Sequence, residues 1–415
     1  MVWKEGMDAP VPGFCAWFLY KTPYIQSGVH RTKTRLTKGC HINVDTALPM
    51  PTAPTTPIRL LIITPNLQGG GAERNVVHLC NHLNNAHITA RLLIVDNRSP
   101  FYTVHNAAVD VTDLQKPRVR SSLFAIRKQI RAFQPDVVLS ASNYLSVYLM
   151  AFRFLFPRRV RFVCRETSIA SINNQHSSHP GLLTWMTRRF YRQADQIVCQ
   201  SAFMKSDLET KFHIPSERIT IIENMVEIPV DLCRPASTKG KAKLVTVARL
   251  SHEKGISRIL SALSRVRVPF EYHIVGDGPE RAKLESIVRQ LGLESSVFFW
   301  GAHADPFSLV PDADLFLQGS LYEGFPNVLL ESAARGIPCV AYDAPGGTAG
   351  LIQTLSSGRL VSDGDEEGYA VAIEQSIQTT VDSAGLIQRV RERHGPAVIM
   401  PQWETLFRSL ITNHP

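Results

Sequence analysis

The chain has 415 residues, 44% hydrophobic and 20% charged, with a formal net charge of +9. That length is too great for one ordinary core and suits two domains of ordinary globular composition. Seven cysteines, an odd number with no Cys-x-x-Cys pair, read as reduced thiols of a cytosolic protein and exclude a disulfide framework or a cysteine zinc site; no apolar run approaches the ~20 residues a membrane span needs.

The charge is unevenly placed. Residues 57–230 hold 21 Lys and Arg against 12 Asp and Glu, whereas residues 231–415 hold 18 against 21. A basic half beside a slightly acidic half implies that one domain meets something anionic: nucleic acid, an anionic membrane surface or a phosphate-bearing acceptor.

In chain order, residues 1–56 show no steady periodicity and read as a disordered extension, with Met50 as the expected native start. Their most apolar run, "GFCAWFLY" at 13–20, is short and lacks the small-residue cleavage pattern of a signal peptide. From residue 57 apolar runs alternate with amphipathic ones. "IRLLIIT" (58–64), "TARLLIV" (89–95), "PDVVLSA" (135–141), "VRFVC" (160–164), "QIVCQS" (196–201) and "ITIIEN" (219–224) read as strands, separated by helical stretches such as 72–84, 121–133 and 181–193. Residues 230–243 are polar, with Pro, Gly and Lys, and read as a linker. The alternation restarts with "KLVTVA" (243–248), "FEYHIVG" (270–276), "SVFFWG" (296–301), "ADLFLQ" (313–318), "IPCVAYD" (337–343) and "GRLVS" (358–362). The fold class expected is α/β: two Rossmann-like, doubly wound domains at 57–229 and 244–395 facing across a cleft, with 396–415 as a closing helix. Ligands of such sheets bind at the carboxyl ends of strands, so the chemistry is expected in that cleft.

Four stretches carry chemistry. "TPNLQGGGAERNVVHL" leaves the first strand, and Gly69, Gly70 and Gly71 permit a tight turn into a helix near Ala72. The third position of a dinucleotide fingerprint is Arg74, whose bulk argues against that motif, and a plain flexible turn remains an alternative. "VGDGPERAKLE" repeats the pattern in the second domain with Gly276, Gly278 and Pro279 and reads equally as a structural turn. "VARLSHEKGISRIL" puts Arg249 and Lys254 in a strand-end loop, where a fork and a point charge can grip a diphosphate; alone, it also reads as a solvated charged loop. In "LYEGFPNVLLESAARGIPCV", Glu323 lies in the loop before a helix beginning at Pro326, and Glu331 lies in its second turn. That spacing suits two separate hydroxyl-binding acceptors around a phosphate at the helix start, not a glycosidase pair flanking one bond. Two further features lean bland. His78 and His82 stand four apart on a helix, but the sequence supplies neither a third ligand nor the Glu of a His-Glu-x-x-His motif. "AFRFLFPRRVRF" and "TRRFYRQ" interleave Arg with aromatics, as a nucleic-acid, lipid-facing or merely solvated face would.

Together these stretches resemble the retaining glycosyltransferases of family 4, with the GT-B fold (glycosyl transferases group 1), over residues 58 to about 410. The markers are "GGGAER", Arg249 with Lys254, the "VGDGP" turn and, most specifically, "EGFPNVLLE". "VIMPQWETLFRSLI" is similar to the family's final helix, which crosses back to the first domain. The resemblance implies that Arg249 and Lys254 neutralise the donor diphosphate and stabilise the departing nucleotide. It implies that Glu331 accepts hydrogen bonds from ribose hydroxyls, and that Glu323 orients the donor sugar with Gly324 and Phe325, beside Pro326 and Asn327. Gly70 and Gly71 would close onto phosphates or sugar. No divalent metal is expected, since Arg and Lys replace it. Many relatives carry a sugar-contacting His after the first domain's fourth strand; this chain reads "VCRETSIASINN", with Arg165 and Glu166 at that place, a departure that leaves the donor-sugar contacts open, with Arg165 as the candidate and His176 or His179 as alternative substitutes. The implied enzyme is a hexosyl- or N-acetylhexosaminyltransferase of polysaccharide or lipopolysaccharide biosynthesis. Its partners would be a UDP- or GDP-sugar donor, a glycan or lipid-linked acceptor and an anionic membrane, and not nucleic acid, with the enzyme cytoplasmic and peripheral at the inner face. A nucleotide-sugar epimerase of similar fold and a catalytically silent sugar-nucleotide binder are the rival readings, with a nucleic-acid-binding protein using the basic first half as a third, for which nothing resembles a reading helix.

Overall fold

The computed structural model describes residues 56–229 and 240–412; the extension, Met50 and most of the expected linker lie outside the described residues. Seven parallel strands form the first sheet: β1 (Ile58–Thr64), β2 (Ile88–Ile94), β3 (Asp110–Asp113), β4 (Val137–Ser140), β5 (Arg161–Arg165), β6 (Gln196–Cys199) and β7 (Ile219–Ile221), in the order β3-β2-β1-β4-β5-β6-β7. Six form the second: β8 (Ala242–Val247), β9 (Phe270–Val275), β10 (Val297–Gly301), β11 (Leu315–Gln318), β12 (Cys339–Tyr342) and β13 (Gly358–Val361), in the order β10-β9-β8-β11-β12-β13. Both are doubly wound sheets of Rossmann type, as the alternation of apolar runs predicts.

The alternation of side chains along each strand explains the layers. In β1, Leu61 and Ile63 join the core on one face of the sheet, while Leu60 and Ile62 join the core on the other. In β8, Leu244 and Val245 divide between faces in the same way. A strand buried on both sides must be apolar throughout, which is why these runs read as continuous. The exception is β3, "DVTD", an edge strand paired only with β2 and exposed at its start; it carries no apolar run and was not anticipated.

Strand order reverses between β1 and β4 and between β8 and β11, so the loops after β1 and β8 open at the two crevices. The first leads into the helix Gly71–His82 and the second into the helix Ile256–Leu263. The last helix, Pro396–Thr412, buries Ile399, Trp403 and Phe407 in the first sheet's core, against residues such as Leu60 and Val76. Among the described residues, four free cysteines are all buried and no helix is long and apolar enough to cross a membrane.

Candidate active site between the two sheets

One cleft of about 680 Å³ is lined by the loop after β1, by Phe101 and Tyr102 from the first lobe, and by the strand-end loops of the second. Gly70, Gly71, Arg249, Lys254, Glu323, Asn327 and Glu331 all line it, so residues spread over more than 250 positions converge on one space.

The second lobe's strand-end loops are held by close backbone approach. A Cβ on Gly255 would overlap the Gly319 carbonyl, and one on Gly276 the Ala248 carbonyl. Gly255 therefore serves tight packing rather than the flexibility its type suggests. Pro279 stands two residues ahead of the helix Arg281–Gln290, inside the turn, and not at the helix's first position. The loop bearing Glu323 is clamped by a segment the motif reading left out. Glu323 forms a parallel bridge with Gly346: its N–H donates to Pro345 O at 3.0 Å, and the Gly347 N–H donates to Glu323 O at 2.9 Å. Gly346 has φ +130°, and a Cβ there would overlap the Glu323 carbonyl oxygen, so only glycine allows this pairing.

Each Lys and Arg that lines the cleft has a carboxylate partner. Lys254 Nζ donates to Glu323 Oε1 at 2.6 Å, and Ser320 Oγ donates to the same oxygen at 2.8 Å. Arg249, exposed along most of its side chain, donates to Glu253 Oε1 at 2.8 Å. Burial pushes the Glu253 carboxyl up, but the Ser251 hydroxyl and the Arg249 guanidinium outweigh it and hold the group at about 2. Glu331 sits in the second turn of the helix Asn327–Ala333, as expected, and accepts from Arg74 Nη1 at 2.6 Å. Its burial pushes its pKa up, opposed by Arg74, Arg335 and His78. Arg74, set aside in the sequence as too bulky for a dinucleotide turn, is thus the first lobe's link to Glu331. No local signal could have found that pair, because it joins positions 257 residues apart. Glu331 spends Oε2 and Glu323 spends Oε1, so each has a second oxygen available to an incoming hydroxyl.

A polar seam of asparagines backs the Gly-rich loop. Asn327 Oδ1 accepts from Asn75 Nδ2 at 3.1 Å and from Asn224 Nδ2 at 2.7 Å, while Asn75 Nδ2 also donates to Gly71 O at 2.7 Å. A Cβ on Gly71 would lie 2.5 Å from Asn327 Nδ2. Glycine here lets the two lobes touch.

Four expected contacts lie elsewhere. Arg165 ends β5 on the same face as Val163, under Trp403, so its guanidinium points away from the cleft into a small pocket beneath Asn75 and Asn224. There it donates to Asn224 Oδ1 at 2.7 Å, and burial pulls its pKa down to about 10. Arg165 therefore supports the asparagine seam from behind. Gly324 packs on Ser168 Cα and accepts from Ser201 Oγ at 3.1 Å, against the first lobe; Phe325 is buried in the second lobe's core beside His394; Pro326 is buried as well. None of these four lines the cleft, because the loop turns its Gly-Phe-Pro corner inward while presenting Glu323 and Asn327 outward. His176 stacks on Tyr322 at 5.9 Å, beside Glu323 but outside the cleft lining, and His179 caps the helix Pro180–Phe190.

Residues 69–228 match the family described as Glycosyltransferase Family 4, and residues 233–393 match Glycosyl transferases group 1. The chain is 27% identical over 365 residues to the lipopolysaccharide core biosynthesis glycosyltransferase LpsD of Rhizobium meliloti, a match covering 81% of this chain and 95% of that one. It is 26% identical over 262 residues to the lipopolysaccharide 1,6-galactosyltransferase of Escherichia coli K12, covering 61% and 69%. Among solved structures, Anabaena HepE in complex with UDP-glucose aligns with a TM-score of 0.69 at 20% identity, over 85% of this chain and 100% of that one, a likeness of fold. The chain belongs to the family 4 glycosyltransferases of the GT-B fold.

Proposed function

We propose that the protein is a retaining glycosyltransferase that moves a hexosyl or N-acetylhexosaminyl group from a UDP- or GDP-sugar to a cell-envelope glycan or lipid-linked acceptor. The observation that carries this reading is the convergence of Arg249, Lys254, Glu323 and Glu331 on a single cleft lined from both lobes. The diphosphate lies against Arg249 and Lys254 near the Gly70–Gly71 loop. Glu331 takes the ribose hydroxyls with its free oxygen, and Glu323 takes the sugar hydroxyls with its own. In the reaction the anomeric C–O bond to the diphosphate breaks and a bond to the acceptor oxygen forms on the same face of the sugar. The acceptor's proton passes to the departing phosphate oxygen. The two cations stabilise the charge that grows on that oxygen, as preorganised charge in a partly dry cleft does best. They do so without a divalent metal at the diphosphate.

The acceptor class rests on the names of the two lipopolysaccharide-related relatives and on two segments of the first lobe. Phe154 is exposed in the segment that carries exposed Arg158 and Arg159, and Leu182 and Trp185 are exposed on the helix that carries exposed Arg188 and Arg189. Apolar tips among guanidinium groups suit the headgroup layer of an anionic membrane, with the enzyme peripheral on the cytoplasmic side.

A thermal-shift panel of UDP-, GDP- and ADP-sugars tests the reading. A donor present at 100 times its dissociation constant stabilises by ~2.7 kcal/mol. The expected result is a shift for one nucleotide class, followed by turnover only when an acceptor is added and retained anomeric configuration in the product. A shift with turnover in the absence of acceptor would instead favour an epimerase.

A further inference from the structure

We propose that His78, His82 and Glu227 form a binding site for one divalent transition-metal ion of the Zn²⁺ type, outside the donor cleft. The two histidines lie four residues apart on the helix Gly71–His82 and so share a face. The fold brings them Glu227, 149 residues from His78, on the segment that leaves the first sheet toward the second. One candidate ligand atom from each of the three lies within 4.8 Å of the others. His78 Nδ1 is 3.0 Å and His82 Nε2 is 3.7 Å from the same oxygen, Glu227 Oε1. Tetrahedral coordination with metal–ligand bonds of ~2.0–2.1 Å sets ligand atoms ~3.3–3.4 Å apart, so small side-chain rotations complete the geometry.

The imidazole orientation is also set. His82 Nδ1 lies 2.9 Å from His78 O, and a carbonyl only accepts, so Nδ1 carries the proton. Neutral His82 then turns the lone pair of Nε2 toward a carboxylate oxygen, and a cation between them satisfies both. A ligating histidine whose other N–H is tied to a backbone carbonyl is the usual outer-shell arrangement of metal sites. Two imidazoles and one carboxylate suit Zn²⁺ and its neighbours, whereas Mg²⁺ and Ca²⁺ take oxygen ligands throughout. Glu227 keeps 53% of its side chain exposed, which leaves room for water in the fourth position.

None of the three lines the donor cleft, although His78 lies close enough to Glu331 to oppose the rise of its pKa. The site's physical effect is a clip. Glu227 belongs to the stretch whose neighbour Val226 donates to His394 O at 3.0 Å and whose Asn224 O lies 3.2 Å from His394 Nδ1. An ion would join that stretch to the helix that follows the Gly-rich loop, tying the chain's exit from the first lobe to the donor-facing element.

The test uses the full chain, stripped with a chelator and titrated with Zn²⁺ by calorimetry, with Co²⁺ as a spectroscopic substitute. The expected result is one equivalent bound, a rise in melting temperature on adding Zn²⁺, and a Co²⁺ visible spectrum of tetrahedral intensity. His82→Gln and Glu227→Gln should each weaken that site at least tenfold, while both melt like the wild type in metal-free buffer. Glu227 is exposed, so its variant removes a ligand without disturbing packing. Absence of bound metal in the wild type, or wild-type affinity in both variants, would overturn the site and leave a plain His–carboxylate pair.

Discussion

Replacing Glu331 with alanine isolates the nucleoside side of the cleft. Glu331 is 6% exposed and makes one 2.6 Å ion pair, with Arg74. Its other oxygen is the group assigned to ribose. A hydrogen bond to a charged acceptor is worth ~1.5–3 kcal/mol, and each ~1.4 kcal/mol is tenfold. Glu331→Ala should therefore weaken the ribonucleotide about ten- to a hundredfold. The 2′-deoxyribose analogue lacks one partner of that bond already, so the same substitution should weaken it by clearly less. Folding is a separate matter. Breaking a fully buried pair costs ~3–5 kcal/mol, but Arg74 keeps 27% of its side chain exposed and can turn to water, so the stability loss should be well below that. Isothermal titration with both nucleotides, alongside a urea melt of each protein, separates the two effects. Equal losses for ribo- and deoxyribonucleotide would refute the ribose role; intact ribonucleotide affinity would refute the site.

Arg249→Ala should cost nucleotide affinity at least tenfold, read by titration with UDP or GDP, with little change in melting temperature because the residue is exposed. Gly346→Ala should destabilise by about 1–3 kcal/mol or more and abolish turnover, since the new methyl overlaps the Glu323 carbonyl; Gly350→Ala, where nothing lies within 4 Å, should instead gain about 0.5–1 kcal/mol in a denaturant melt. Glu166, fully buried between Asn143 and Tyr191, has its pKa pushed by burial from 4.5 to about 7; the folded state then holds this proton between about pH 4.5 and 7 while the unfolded chain has lost it, so its contribution is full below 4.5 and lost as pH rises through 7, and the melting advantage of Glu166→Gln over wild type should grow from pH 5 to pH 8.

The sheets were legible because strands buried on both faces are largely apolar, as β1 (IRLLIIT) and β4 (VVLS) show. Edge strand β3 is silent for the same reason: with β2 as its one neighbour, Asp110 and Val111 stay exposed and no apolar run is required. Arg249, Lys254 and Glu323 were legible because each stands in a loop that follows a strand, and Glu331 because the Gly-Phe-Pro turn after Glu323 starts the helix whose second turn carries it. What surrounds them was not. Arg74 meets Glu331, and Glu227 meets His78, only because two lobes and a connecting segment fold together; local spacing carries no trace of either pair. Arg165 shows the opposite failure. Its position at a strand end suggested the cleft, yet alternation along β5 places its side chain with Val163 beneath Trp403, and the helix Pro396–Thr412 closes that face.

The pairing of every cation in the cleft has a consequence for catalysis. Arg74, Arg249 and Lys254 each hold a carboxylate, so in the proposed reaction a donor diphosphate would exchange partners rather than fill a bare positive site. Exchange returns little net binding energy in the ground state, where the diphosphate's charge is spread over two phosphates. It returns more as the anomeric bond breaks and charge gathers on the bridging oxygen, because the phosphate then competes more strongly with Glu323 and Glu253 for the cations. Carboxylates that hold Lys254 and Arg249 in place beforehand also remove the reorganisation that loose side chains would need. In the proposed reaction Glu323 acts twice: Oε1 fixes Lys254, which would receive the leaving group, and the other oxygen would meet the sugar.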